Sequence, residues 1–179
     1  LFRLDDVKAT GPVFDMVKLD DMNASYLRAL SHEQYADFLA DHIKAAAQYL
    51  SPILDHVQKR TPRPLDFARW TEPLLSHSLH FKGELLIPKQ GTAEMAKRVL
   101  QHFAKAFEDV EFKSAQDFDT LIREQSAVLD VKTKEVFMVL RVALFGSLES
   151  LPLWEVVEFF GKDWMVTRLK AALALVPRA

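Results

Sequence analysis

What most limits the fold of this chain is its lack of hairpin signals beside an abundance of helical stripes. The 179 residues hold only five glycines and no Asn-Gly or Asp-Gly pair. Such pairs supply the positive φ angles that tight β-turns need. Strict apolar–polar alternation never lasts more than a few positions, while apolar spacings of three and four recur along the chain. The expectation is a nearly all-α protein.

Individual helices can be bounded from side-chain chemistry. Ser31 and Gln34 fit a capping box, in which each side chain serves the other residue's free backbone N–H. Tyr35, Phe38, Leu39, Ile43, Ala46 and Leu50 then share a stripe, and Pro52 limits it. A second helix is predicted from about Pro64 towards Leu79, bent or interrupted at Pro73. "FKGELLIPKQGT", residues 81 to 92, carries two glycines and a proline and is the expected domain boundary. It separates a first helical subdomain, 1–84, from a second, 85–179. In the second, Ala96, Val99, Leu100, Phe103 and Phe107 form one stripe. Phe118, Leu121, Ile122, Gln125 and Leu129 form another after a cap at Ser114. "DVKTKE", residues 130 to 135, reads as a polar loop. Leu153, Val156, Val157 and Phe160 make a short helix after Pro152, with Gly161 suited to a left-handed ending. A last helix carries Trp164, Val166, Leu169, Ala172 and Leu173 and stops by Pro177. Helices of this length joined by short loops suit two consecutive small bundles.

Charge and composition exclude several functions. The net charge is −2, with 10 basic and 12 acidic side chains in residues 1–88 and 13 of each in 89–179. A nucleic-acid contact would therefore need a local basic patch rather than a basic half. Cysteine is absent, which removes disulfides and thiolate metal sites. The longest apolar run, residues 136–145, is interrupted by Arg141 and is too short to span a bilayer. The opening "LFRLDD" does not read as a signal peptide, and the missing initial methionine suggests a fragment of a longer protein. The sequence has no phosphate-binding Gly-rich loop, no H-E-x-x-H and no nucleophile elbow. His77 and His80 could share a helix face, but two histidines do not complete a zinc site, so no metal is expected. The carboxylates read as solvated helix faces.

Two basic features stand out. "QKRTPRPLDFAR", residues 58 to 69, sets Lys59, Arg60, Arg63 and Arg69 against one acid, Asp66, and two prolines stiffen it. It reads either as a solvated loop between helices or as a rigid segment for phosphate or base contacts. Arg141 is the one charge inside "VFMVLRVALF", where Phe137, Leu140, Leu144 and Met138 would bury one helix face. It could favour the helix dipole, cap carbonyls or pair with a local acid such as Glu149. Alternatively, a guanidinium on an apolar wall is placed to read a base edge with its fixed donors.

Two longer segments narrow these options. "GPVFDMVKLDDMNASYLRAL" resembles the stretch just after the catalytic core of bacterial-type glutamyl-tRNA synthetases, and "LRVALFGSLESLPLWEVVEFFGKDWMVTRLKAAL" resembles the end of the same class I enzymes. Together they bracket residues 4 to 174 in the right order. Asp21 departs from the family's usual aromatic, Ala24 from its glycine, and Pro152 lies one position later than in many members. The resemblance implies the C-terminal anticodon-binding region, built from two helical subdomains, with tRNA-Glu and an upstream catalytic domain as partners. It implies anticodon contacts at Arg141, at Ser150, Leu151 and Leu153 of the following turn, and at Arg60 in the first subdomain. Lys59, Arg63 and Arg69 would meet the tRNA backbone. The family's His-Ile-Gly-His and Lys-Met-Ser-Lys-Ser-like ATP signatures are absent from this chain, so ATP and magnesium chemistry would belong to the upstream domain and no cofactor is expected here. The resemblance further implies a cytoplasmic monomer. The rivals are a free-standing helical interaction module that lost tRNA, and an enzyme with a site between the bundles lined by His77, His80 and acids.

Overall fold

The computed structural model describes residues 16–76 and 80–177. Among these residues there are nine α-helices and no strand, in line with the all-α reading. In chain order they are α1 (Met16–Ala29), α2 (His32–Tyr49), α3 (Leu54–Gln58), α4 (Asp66–Leu75), α5 (Ala93–Glu108), α6 (Ala115–Val128), α7 (Thr133–Phe145), α8 (Leu153–Phe160) and α9 (Lys162–Leu175). None is long and apolar enough to cross a membrane.

The chain forms two compact units, residues 1–46 and 47–179. The first holds α1 and most of α2. The Ser31–Gln34 capping box is present: Ser31 N–H donates to Gln34 Oε1 at 2.9 Å and Gln34 N–H to Ser31 Oγ at 3.2 Å. The apolar stripe that follows is buried only at its end, where Leu50 enters the core of the second unit. No residue of α2 is buried, and Tyr35, Leu39 and Ile43 remain exposed. Helical periodicity reports which side chains share a face, and says nothing of what covers that face.

The second unit has one continuous apolar core. Leu50, Ile53, Val57 and Leu74 join Leu86 and the side chains of α5 to α9 in a single cluster. The glycine- and proline-bearing segment 81–92, expected to divide the chain into a pair of bundles, lies inside this unit. Its Leu86 and Pro88 are buried there. Turn residues end helices, but an inserted leucine keeps the two sides in one core.

The stripe of α5 is borne out, since Ala96, Val99, Leu100, Phe103 and Phe107 are fully buried. Its most extensive partner is α9. Thr92 caps α5 by accepting from Met95 N–H at 3.1 Å, and Ser114 caps α6 by accepting from Asp117 N–H at 3.1 Å. Helix α7 starts at Thr133, so the loop read over 130–135 is shorter than expected. Pro73 sits inside α4 without ending it; the helix ends at Leu75 and Ser76 is extended. The predicted continuation to Leu79 runs into residues outside those described.

Helix α7 is buried almost all round, with Val136, Val139, Leu140, Val142, Ala143, Leu144 and Phe145 inaccessible. It stops because Gly146 takes a left-handed φ of 66° and donates its N–H to Val142 O. A Cβ at Gly146 would come within 3.1 Å of the Phe81 ring. Gly161 separates α8 from α9 with φ 84° and ψ 167°, a positive-φ but extended conformation and not the left-handed helical one that Gly146 adopts. Arg168 of α9 is buried and ties the fold: it donates to Leu144 O at 3.0 Å and to Ser76 O, and lies 4.5 Å from the Trp164 ring centre. Burial pushes its pKa down to about 10.

Candidate functional site

Arg141 stands one turn before the end of α7, between the buried Leu140 and Val142. Its side chain is half-buried. The Nε is closed to solvent and has no hydrogen-bond partner, the one such buried side-chain atom among the described residues. No ion pair engages the guanidinium among those residues either. The terminal nitrogens therefore remain open to solvent. A buried donor without a partner costs about 1–3 kcal/mol. The roles open to Arg141 from sequence narrow accordingly. Glu149, the proposed local partner, instead binds Arg69, with Nη2 and Oε2 2.6 Å apart.

A cavity of about 280 Å³ opens at Arg141. Phe118 and Asp119 of α6, Phe137 of α7, Pro152, and Leu153, Trp154 and Glu155 of α8 line it. Its walls are apolar and aromatic, with one cation and two carboxylates. Its size is at the low end for small-molecule sites, suited to a single ring system. Trp154 is held edge-on or tilted against Phe112 and Phe118, whose rings continue into the core. Such packing holds a half-exposed aromatic in one orientation.

The turn between α7 and α8 distributes its residues unequally. Leu151, expected at the contact surface, is 1% exposed and packs in the core. It anchors the turn from within, because its apolar side chain fills the nearest core volume. Leu153 is also mostly buried but lines the cavity. Ser150 Oγ donates to Leu151 O at 2.8 Å, which leaves the hydroxyl its acceptor capacity.

The basic segment is less free than its composition suggests. Arg63 donates from Nε and Nη2 to the two carboxylate oxygens of Asp66, at 3.1 and 3.0 Å. That hydrogen bonding holds the Asp66 carboxyl below the usual carboxylate range. Arg69 is taken by Glu149 and sits 5.4 Å from the Trp70 ring centre. Arg60 donates to His56 O at 3.2 Å, closing the end of α3, and keeps other donors. Lys59 is exposed. Trp70 Nε1–H donates to Arg60 O at 2.9 Å and so pins the segment against α4.

Two contacts tie α3 and α4, the helices at either end of this segment, to the turn and helix that follow Arg141. Arg69–Glu149 joins α4 to the α7–α8 turn, and His56 Nε2 lies 3.8 Å from Glu155 Oε2. Sequence spacing shows neither, since each joins residues at least eighty positions apart. Asp119, Trp154 and Glu155 were not singled out from sequence; "PLWE" following the turn was the available signal. No group of three potential metal ligands exists among the described residues. His77 lies outside them, and His80 borders a separate cleft of about 210 Å³ with Glu72, Ser147 and Arg168.

A model of the anticodon binding domain matches residues 27–173. The chain belongs to the anticodon-binding domain family. It is 28% identical to the glutamate–tRNA ligase of Herpetosiphon aurantiacus over 99% of its own length and 38% of that protein's. Identity to the glutamate–tRNA ligases of Dehalococcoides mccartyi and Acidothermus cellulolyticus is 27% and 29%, each over 97% of this chain and 38% and 37% of theirs. The chain thus spans under two fifths of the length of these curated relatives. The span matched to the anticodon-binding domain contains Arg141, its cavity, the turn and the whole basic segment.

Proposed function

We propose that this chain is the tRNA-anticodon-binding region of a glutamate–tRNA ligase, and that it selects tRNA-Glu while amino-acid activation occurs in a catalytic domain elsewhere. One observation carries this reading: Arg141 is a partnerless guanidinium set in an otherwise apolar helix and open at its tip to a cavity walled by aromatic rings. Nothing in the packing of α7 needs that charge. Anticodon bases can unstack, rest on apolar walls and hydrogen-bond to such a group. Leu153 and Pro152 would support the splayed base, Ser150 would offer an acceptor, and Leu151 would hold the turn's shape. Arg60 would reach an anticodon base from the basic segment, and Lys59 would supply a backbone contact. Arg63 and Arg69, being paired, would contribute only by exchanging their carboxylates for phosphate.

The test is binding of a tRNA-Glu transcript and of anticodon-substituted transcripts to the chain at two salt concentrations. The expected result is a preference of roughly ten- to hundredfold, the value of one bidentate base contact of about 1–3 kcal/mol. Equal binding to all transcripts would remove anticodon reading. Retention of a protein partner with no tRNA binding would favour a helical interaction module.

A further inference from the structure

The Arg141 cavity holds opposite charges that have not paired. Asp119 and Glu155 line it with Arg141, yet neither carboxylate forms a salt bridge with the guanidinium. Opposite charges that share a small space ordinarily meet, because their attraction grows as solvent is excluded. Here they stand on three separate helices, α6, α7 and α8, and no ion pair joins Arg141 to either acid. The cavity therefore presents donors and acceptors at once, with apolar rings between.

That arrangement discriminates between a phosphate and a base. A phosphate would gain one cation but face two carboxylates across the same cavity, and like charges brought together are repelled. A base edge is neutral and offers both acceptors and N–H donors, so it can answer both kinds of group. Of the two acids, Glu155 is better placed. It is half-buried and directly follows the Pro152–Trp154 wall, whereas Asp119 is exposed. His56 Nε2, at 3.8 Å from Glu155 Oε2, is beyond hydrogen-bond reach, so a neutral imidazole leaves that carboxylate able to accept.

Taking the base contact of Arg141 from the tRNA-binding reading above, we infer that Glu155 is the specificity-determining acceptor for an N–H of the same base. The base class is one offering Arg141 two adjacent acceptors for a bidentate contact and Glu155 an N–H: cytosine, through O2 and N3 with N4–H, or guanine, through O6 and N7 with N1–H; adenine and uracil have no two adjacent acceptors on one edge. This rests on that reading and deepens it.

The experiment titrates wild type, Arg141→Gln, Glu155→Gln and Asp119→Asn with tRNA-Glu transcripts over a range of salt. The pH is about 8, above the ordinary imidazole range. Each anticodon base in turn is replaced by adenine. Arg141→Gln should weaken binding roughly ten- to hundredfold without changing the slope of log affinity against log salt, because a base contact releases no counterion. Glu155→Gln should narrow discrimination against adenine at one position, the same one that Arg141→Gln affects, and Asp119→Asn should leave it intact. The inference is overturned if Arg141→Gln flattens the slope by about 0.7, the mark of one lost single-strand phosphate. A gain in affinity for Glu155→Gln, or loss of discrimination in Asp119→Asn alone, would overturn it as well. Failure of the wild-type chain to distinguish any transcript is a separate result that removes the anticodon reading itself and this assignment with it.

Discussion

Two arginines lie in apolar helices of the second unit, and replacing each with methionine should move stability in opposite directions. Arg141 leaves a buried Nε without a partner. Methionine would retain the apolar stem, remove the orphan donor and pack against Phe137 and Leu153. The recovered cost is a fraction of about 1–3 kcal/mol, reduced by mild repulsion between Asp119 and Glu155 once the cation is gone. A net gain of about 1 kcal/mol raises the melting temperature of a chain this size by roughly 2–4 °C. Arg168 is the reverse case. It donates to Leu144 O and Ser76 O and stacks on Trp164. Charge-assisted bonds contribute about 1.5–3 kcal/mol each, and the ring contact adds about 0.5–2 kcal/mol. Relief of the arginine's burial offsets much of this, so Arg168→Met should lose about 2–4 kcal/mol. The assay is urea unfolding followed by circular dichroism, read at the main cooperative transition, with tRNA binding measured in parallel. Arg141→Met should be more stable and bind worse. Loss of more than about 1 kcal/mol in Arg141→Met would refute the reasoning, because the guanidinium would then have a structural partner.

Three further substitutions and one titration test the frame around the site. Gly146→Ala should destabilise by about 1–2 kcal/mol, since a side chain at φ 66° is strained and its Cβ meets Phe81; calorimetry would measure it. Leu151→Ala should cost about 2–5 kcal/mol in denaturant unfolding and weaken tRNA binding through a loosened turn. Ser114→Ala should cost about 1 kcal/mol by removing the α6 cap, with faster amide exchange at Asp117. The Asp66 carboxyl should titrate below an ordinary aspartate by NMR and return towards it in Arg63→Gln. Because its folded pKa is depressed, the pair's contribution is present above the ordinary carboxylate range and is lost as pH falls through the lowered value.

The helix ends were legible because they depend on neighbours within four residues. Ser31 with Gln34, Ser114 with Asp117, and Gly161 each satisfy backbone groups one turn away, and the structure shows them doing so. The buried stripe of α5 was legible for a related reason, as its spacing places five apolar residues on one face. The same spacing on α2 leaves Tyr35, Leu39 and Ile43 exposed and only the terminal Leu50 fully buried, since a pattern on one helix carries no information about a partner. The segment 81–92 misled in the same way: glycine and proline announce a turn, whereas Leu86 determines that the core runs on through it.

By itself the sequence determined that the chain is helical, where most helices begin and end, and that Arg141 is an anomaly in an apolar run. These are properties of local hydrogen bonding and of one charge among neighbours. Tertiary structure alone decided which acids the arginines meet. Glu149 is taken by Arg69 from eighty residues away, Arg168 finds carbonyls on two other segments, and Asp119 and Glu155 are brought to Arg141 by packing. Side-chain partners follow from how helices dock, and docking is settled by the summed burial of the whole core, which no window of sequence contains.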